Sequence, residues 1–109
     1  MTAKITICTM YVMKLKFVWD TKKNEENVKK HGIHFEEATT IFYGFPLEIF
    51  HDPDHSVDDD RYIAAGFSDK GRILLVVHCE SHSGTEIRII SARRATKTEQ
   101  NDIFRGDRK

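Results

Sequence analysis

The feature that most constrains this fold is an apolar run over residues 73–77, Ile-Leu-Leu-Val-Val, in the second half of the chain. A short and nearly continuous run of this kind is typical of a central strand in a sheet. Segments of strand character lie on both sides of it, over residues 47–50, 61–68 and 86–92. Because short polar turns such as 68–71 separate these segments, we expect a largely antiparallel sheet.

Helical signals flank this group of strands. A short strand over residues 16–20 leads into a helix that Asp20 or Thr21 can cap and that Gly32 ends. A second helix is predicted by apolar residues at helical spacing, which are Phe35, Ala38, Ile41 and Phe42. A capping box at 96–99 opens a short C-terminal helix. The order β-α-α-β-β-β-β-α predicts an α+β domain with a mostly antiparallel sheet and helices packed on one side.

The length of 109 residues predicts a single domain, which we expect to occupy residues 14–109. Residues 1–13 differ in sequence character from the rest of the chain, and they have two interpretations. Met13 can itself be a translation start, which would make the preceding residues an N-terminal extension. The β character of Ile7 and Val12 instead favours an extra edge strand.

Composition excludes several classes of protein. Hydrophobic residues make up 39% of the chain, which is too much for a disordered protein. No apolar run approaches the ~20 residues of a membrane span, and the N-terminus lacks the pattern of a secretory signal. The two cysteines, Cys8 and Cys79, are too few for a disulfide framework and form no CxxC pair. We therefore expect a cytoplasmic protein that makes no membrane contact.

Charge is distributed unevenly, although seventeen basic residues balance seventeen acidic ones. Residues 14–31 hold six lysines and three acids, and residues 86–109 hold seven basic residues and four acids, so each stretch carries +3. Residues 48–60 carry −6. If the two basic stretches share one face, they form a phosphate-binding surface; the alternative is that the lysines are the solvated face of a surface helix. Arg93 and Arg94 lie at the end of a segment with strong strand character. Because a strand is rigid, it would hold their guanidinium groups in place to bind a planar anion through paired hydrogen bonds.

A series of short sequence motifs is distributed over residues 14–105. In the first half these are Phe17-Val18-Trp19-Asp20, Asn24, Asn27, Lys30-His31-Gly32 and Phe35-Glu36-Glu37-Ala38. In the second half they are 52–56, Arg61-Tyr62, 71–77 and 87–96. Together they resemble the BrnT family, toxins of type II toxin–antitoxin pairs. Two departures are His34, where the family usually has a Ser or Asp cap, and the first twelve residues, which have no counterpart.

The resemblance implies a RelE-like fold and a ribonuclease that arrests translation. It also implies a ribbon-helix-helix antitoxin, BrnA, which neutralises the toxin and forms with it a complex that binds operator DNA. We expect metal-independent RNA cleavage with no cofactor, in which the substrate's 2′-OH attacks the phosphate. Such a reaction needs a proton acceptor, cations for the phosphoryl oxygens and an acid for the leaving 5′-oxygen.

This chemistry assigns roles to six residues. Arg93 and Arg94 are the predicted stabilisers of the phosphoryl oxygens, with Arg61 and Lys30 as supporting cations. His31 and His78 are the candidates for proton transfer, since imidazole titrates near neutral pH. Five further cations are predicted to bind RNA, namely Lys22, Lys23, Lys29, Arg88 and Lys97.

Each assignment has a structural alternative. His31 can interact with the C-terminal carbonyls of its helix, and His78 can form an ordinary hydrogen-bonded pair with Glu80 on one strand face. Lys30 can be solvated, and Arg61 can pair with the acids at 58–60. One short segment contains the ligand types of a metal site, although its pattern favours a turn: His51, Asp52, Asp54 and His55.

These observations lead to three hypotheses of function. The leading hypothesis is an RNA endonuclease toxin. The second is a non-catalytic binding module that acts in an autorepressor complex with its antitoxin. The third, a direct DNA-binding regulator, is disfavoured because no helix-turn-helix with a basic recognition helix is present.

Overall fold

A computed structural model describes residues 6–52, 61–81 and 83–105, which form one mixed sheet of six strands with helices packed against it. The strands are β1 (Ile7–Val12), β2 (Leu15–Asp20), β3 (Leu47–His51), β4 (Arg61–Phe67), β5 (Ile73–Glu80) and β6 (Glu86–Arg94). The helices are α1 (Thr21–His31), α2 (Phe35–Thr40) and α3 (Lys97–Gln100), with a 3-10 turn at Ile41–Tyr43 and a π turn at Asn101–Arg105.

The strands lie in the order β1-β2-β6-β5-β4-β3. All neighbouring pairs are antiparallel except β2 and β6. The predicted α+β class and the mostly antiparallel sheet are confirmed. The central position of β5 agrees with its nearly continuous apolar sequence.

Strand β1 comes from the segment that the sequence left open as an extension or an additional strand. It pairs with β2 along its whole length through a turn at Met13, whose φ is 53°. Cys8, Met10 and Val12 are half-buried against the main core, whereas Thr9 and Tyr11 between them are exposed. The strand therefore contributes one apolar face to the domain.

Helix α1 begins and ends through local backbone chemistry. The Asp20 carboxylate accepts a hydrogen bond from the Lys22 amide at 2.8 Å, so Asp20 rather than Thr21 is the N-cap. At the other end Gly32 has a φ of 73°, and its amide donates to the Val28 carbonyl at 2.8 Å. Glycine suits this left-handed position because it has no Cβ to strain. Both predicted ends of the helix are confirmed.

The Asn27 side chain fastens α1 to the sheet. Strand β2 pairs with β6 only at residues 86–88. Farther along β6, the buried Asn27 amide donates to the Ala92 carbonyl at 2.8 Å and accepts from the Ala92 amide at 3.1 Å. It also donates to the Ile33 carbonyl at 2.9 Å. Asn27 thus occupies the place of a strand partner and fixes where the rest of α1 lies.

Helix α2 is shorter than predicted, because it ends at Thr40 and gives way to the 3-10 turn. The hydroxyls of Thr39 and Thr40 donate to carbonyls one turn earlier, at 2.7 and 2.6 Å. Such bonds compete with the backbone ladder and disfavour a longer α-helix. His34 caps the start of α2 without a side-chain hydrogen bond, as expected of a poor N-cap.

Alternation along β5 divides the apolar residues between the two faces of the sheet. Leu74 and Val76 belong to the main cluster, together with Trp19 and Phe35. Leu75 belongs to a second, smaller cluster that includes Ile103 and Phe104 from the C-terminal turn. Their division between the faces follows the two-residue period of a strand.

Strand β6 contains one irregularity. Val77 of β5 pairs with Ser91, and the next residue, His78, pairs with Ile89. Ile90 is therefore an extra residue, as in a β-bulge. A bulge changes the direction of neighbouring side chains, so simple alternation does not hold across it.

The acids at 58–60 and most of the turn predicted at 51–55 lie outside the described residues. Within the described ranges, no helix is both long and apolar enough to span a membrane.

Candidate active site

An open groove of about 380 Å³ runs between α1 and the edge of β6. We call it the α1 groove, and it is lined by Lys23, Glu26, Asn27, Lys30, His31, Ile90 and Ser91. Lys23, Asn27 and Lys30 follow the i, i+4, i+7 spacing of one helical face, which explains why they point the same way. The buried Asn27 forms its floor through the bonds to Ala92.

Three predicted site residues meet in this groove. Lys23, Lys30 and His31 are all exposed there. His31 makes no hydrogen bond to any residue in the described ranges, and the Gly32 amide rather than the imidazole completes the helix end. Lys29, Lys30 and His31 form the last turn of α1, where positive charge is favoured by the helix dipole. These three basic residues are thus suited to the helix end and remain accessible.

His78 lies in a different environment, fully buried in the main core. Its Nε2 is 2.9 Å from a carboxylate oxygen of Glu80, and its ring stacks at 5.9 Å from Tyr62 and meets Phe42 edge-on at 5.1 Å. The ordinary His78–Glu80 pair is therefore what the structure contains. His78 lies four positions along β5 from Leu74, which pairs with Arg94, so about 13 Å of strand separates it from that pair. The structure does not bring His78 together with the end of β6.

Arg93 and Arg94 do not form the paired anion site that the sequence suggested. Arg93 lies opposite Leu75 and Arg94 opposite Leu74, so the two side chains leave opposite faces of the sheet. The side chains of two consecutive strand residues point to opposite faces of the sheet, whatever their chemistry. Arg94 is exposed and makes no side-chain hydrogen bond within the described part of the chain.

Arg93 is engaged by an internal partner. Its guanidinium donates two hydrogen bonds to the Glu99 carboxylate, at 2.9 and 2.7 Å, and thereby holds α3 against β6. These bonds, with help from the Thr96 amide, lower the pKa of Glu99 from its ordinary 4.5 to about 2. The same pairing raises the pKa of Arg93. Arg93 is thus a clamp for the C-terminal helix, whose predicted capping box is confirmed.

Arg61 and Arg88 lie on either side of Cys79 in neighbouring strands. Two strand spacings separate them, about 10 Å between their Cα atoms. Arg61 is half-buried and Arg88 is exposed. The other predicted RNA-binding lysines, Lys22, Lys29 and Lys97, are exposed as well, outside the groove lining.

Sequence reasoning missed two groove residues, Glu26 and Ser91. Glu26 follows Lys23 by three residues and precedes Lys30 by four, so helical spacing was a usable signal for it. Ser91 follows the bulge at Ile90, and the sequence contains no clear sign of that bulge. The groove as a whole combines two ammonium groups, one imidazole and one carboxylate, which together can bind an anion and move protons.

Comparisons with known proteins agree with this architecture. A family model described as "Ribonuclease toxin, BrnT, of type II toxin-antitoxin system" matches residues 19–99. The crystal structure of the Brucella abortus ribonuclease toxin BrnT is similar, with a TM-score of 0.55 and 23% sequence identity over 72% of this chain and 94% of that one. This likeness shows a shared fold. A search of curated proteins found no match. The match of the family model over most of the chain shows that the protein belongs to the BrnT family of type II toxin–antitoxin ribonuclease toxins.

Proposed function

We propose that this chain is a metal-independent RNA endonuclease and that the α1 groove is its active site. The observation that supports this most directly is the convergence of Lys23, Lys30 and His31 with Glu26 on one accessible surface. The competing candidates, His78 and Arg93, already have carboxylate partners inside the chain. A group that must act on a substrate needs to be reachable by it.

The proposed chemistry uses the 2′-OH of the RNA as nucleophile. Glu26 accepts the 2′-OH proton, and the His31 imidazolium donates a proton to the leaving 5′-oxygen. These residues are five positions apart on the helix, with a rise of about 7.5 Å and about 140° between their directions, and both line the groove in which the phosphate would lie. Lys23 and Lys30, about 10 Å apart along the axis, stabilise the charge on the phosphoryl oxygens.

Flanking cations extend the RNA path. Lys22 and Lys29 lie on the adjacent face of α1, and Arg88 lies three residues before Ser91 on β6. We assign these residues, with Lys97, to phosphate contacts that position the strand without reading bases. Arg61 and Arg94 are assigned to the same supporting role rather than to chemistry.

The biological setting belongs to the same proposal. The reaction occurs in the cytoplasm and inhibits translation. A ribbon-helix-helix antitoxin of the BrnA type neutralises the enzyme, and operator DNA is bound only through the complex of the two proteins. A RelE-like topology fits the helix pair followed by antiparallel strands.

The test is cleavage of a labelled single-stranded RNA by the purified chain in the presence of a chelator. We expect cleavage to persist and the 5′ product to carry a 2′,3′-cyclic phosphate. A substrate with 2′-deoxyribose at the cleavage position should resist. Cleavage that stops with chelator, or that proceeds on the deoxy substrate, contradicts the proposed mechanism.

A matched pair of lysine variants tests the location. Lys30→Gln should slow cleavage about 10- to 100-fold, because it removes a charge from the phosphate site. Lys14→Gln removes the same charge from an exposed position in the turn between β1 and β2, outside the groove, and should change the rate less than threefold. Equal effects would indicate diffuse electrostatic binding rather than a site. Loss of toxicity in Lys30→Gln with antitoxin binding intact would also exclude the purely non-catalytic binding module.

A further inference from the structure

A second, larger groove of about 510 Å³ lies away from α1 and involves none of the α1 groove residues. It is formed by β1, the end of α2 with its 3-10 turn, and the loop that joins β4 to β5. We call it the aromatic groove, and its principal lining residues are Met10, Val12, Tyr43, Phe45, Phe67 and Asp69. Nothing in the proposed cleavage chemistry uses it.

The apolar exposure in this groove is unusual. Phe45 is 93% exposed, and Tyr43 and Phe67 are 42% and 38% exposed. Single exposed apolar side chains are common on protein surfaces, but a contiguous group of large aromatic residues marks a binding surface. Because Phe45 is almost wholly exposed to water, its burial by a partner would contribute a large hydrophobic free energy of binding.

The groove is also preformed. The Tyr43 hydroxyl donates to the Val12 carbonyl at 2.6 Å and ties the 3-10 turn to β1. The Asp69 amide donates to the Thr40 hydroxyl at 2.9 Å and fixes the opposite wall. A Cβ at Gly44 would lie 2.9 Å from the Phe67 carbonyl oxygen, so the two walls approach as closely as glycine allows. A rigid concave surface costs little to order when a partner binds.

The negative charge of Asp69 determines which charge a partner bound in the aromatic groove should carry. Among the described residues that line the groove, Asp69 is the sole charged one, and the neighbouring depression adds the acids Glu36 and Glu37 beside it, together with Lys70. Glu37 is neutralised by its bonds to Arg72 and Ser68, which leaves Asp69 and Glu36 exposed. The complementary ligand therefore has apolar side chains for the aromatic residues and a Lys or Arg for Asp69.

We propose that the aromatic groove is the docking surface for the antitoxin, through a segment that combines apolar anchors with one basic side chain. The inference rests on the BrnT family membership, since a type II toxin has an antitoxin partner. It does not depend on the cleavage mechanism. Because the aromatic groove and the α1 groove share no lining residue, their functions can be tested separately.

The experiment measures the dissociation constant between this chain and the purified product of the reading frame adjacent to its gene, by calorimetric titration. Phe45→Ala should weaken binding at least tenfold, as for an aromatic hot spot. Phe50→Ala is the matched control, because Phe50 is also exposed but lies on β3 outside the groove, and it should change binding less than twofold. Asp69→Asn should weaken binding several-fold, and the effect should shrink at high salt.

Thermal unfolding of Phe45→Ala should match that of the unaltered chain, since an exposed side chain contributes little to stability. Equal affinity of the Phe45→Ala and Phe50→Ala variants overturns the proposal. So does self-association of the chain that Phe45→Ala abolishes, because the occupant would then be a second copy. If RNA cleavage fails while Phe45→Ala still loses antitoxin affinity, the docking surface stands and only the nuclease proposal falls.

Discussion

The α1 groove and the interior around His78 use similar side chains under different conditions. Both regions contain a histidine and a glutamate, and both lie beside β6. In the groove, His31 and Glu26 are exposed and make no hydrogen bond to the described residues. In the interior, His78 is fully buried and held by Glu80 between Phe42 and Tyr62.

The contrast shows that residue type does not by itself identify a functional group in this protein. A titratable side chain with an internal partner contributes to the stability of the fold. The same side chain without one is available to a substrate. Arg93 and Lys30 repeat the contrast among the cations, since Arg93 binds Glu99 and Lys30 faces the groove.

The largest expected effect is at His31. His31→Ala should lower the rate of RNA cleavage about 10²- to 10⁴-fold, the usual contribution of a general acid or base. The free energy of unfolding should change by less than about 0.5 kcal/mol, because the side chain is exposed. The measurements are single-turnover cleavage of labelled RNA and urea unfolding.

His34→Ala is the control for that variant. His34 is also exposed, and its side chain makes no capping bond. Its removal should leave both cleavage and stability close to those of the unaltered chain. If His34→Ala cleaved RNA as slowly as His31→Ala, the assignment of the active site to the α1 groove would be contradicted.

The second prediction concerns the fastening of α1 to the sheet. Asn27→Ala removes three hydrogen bonds and leaves the Ala92 amide and two carbonyls unsatisfied in the interior. We expect a loss of about 3 kcal/mol in the free energy of unfolding. Cleavage should fall as well, since the groove depends on where α1 lies.

Asn24→Ala is the matched comparison, because within the described part of the chain the Asn24 side chain makes a single hydrogen bond, from the Phe35 amide at 2.8 Å. It should cost about 1 kcal/mol, similar to the loss of a helix cap. Urea unfolding of both variants measures the difference. Similar losses for the two would mean that Asn27 does not act as a substitute strand partner.

The third prediction is the counterpart of the first. His78→Ala should lower the free energy of unfolding by about 2 kcal/mol, because it leaves a cavity between two aromatic rings and a carboxylate without its partner. The rate of RNA cleavage per folded molecule should remain within threefold of the unaltered chain. A 100-fold loss of cleavage in a folded His78→Ala protein would reverse the roles of the two histidines.

Local sequence rules predicted most of the fold. The Asp20 cap, the Gly32 helix end and the capping box at Thr96 depend on neighbouring residues, and all three are confirmed. The alternation of Leu74, Val76 and His78 with Leu75 and Cys79 likewise needs only the two-residue period of a strand. These features need no knowledge of distant contacts.

The candidate site was harder to predict, because its geometry depends on contacts distant in sequence. Asn27 and Ala92 are 65 residues apart, and their hydrogen bonds place α1 beside β6. The bulge at Ile90 likewise depends on the register between β5 and β6. The expectation that Arg93 and Arg94 act together failed on a local rule, since adjacent strand residues face opposite sides of a sheet.

The smallest expected effect is the acid sensitivity of the Arg93–Glu99 pair. Because the folded-state pKa of Glu99, about 2, lies below its ordinary 4.5, the pair stabilises α3 above pH 4.5, and this contribution is lost as the pH falls from about 4.5 to about 2. The two side chains are 43% and 32% exposed, so solvent screening keeps the effect below about 1 kcal/mol. Hydrogen exchange at the Gln100 amide, which donates to the Thr96 carbonyl, should therefore accelerate below pH 4.5 after correction for intrinsic rates. Glu99→Gln should remove this acceleration, whereas Glu25→Gln, at an exposed position on α1, should preserve it. A Gln100 amide whose protection persisted unchanged to pH 2 would mean that Arg93 is not committed to α3, and that it is available to a phosphate after all.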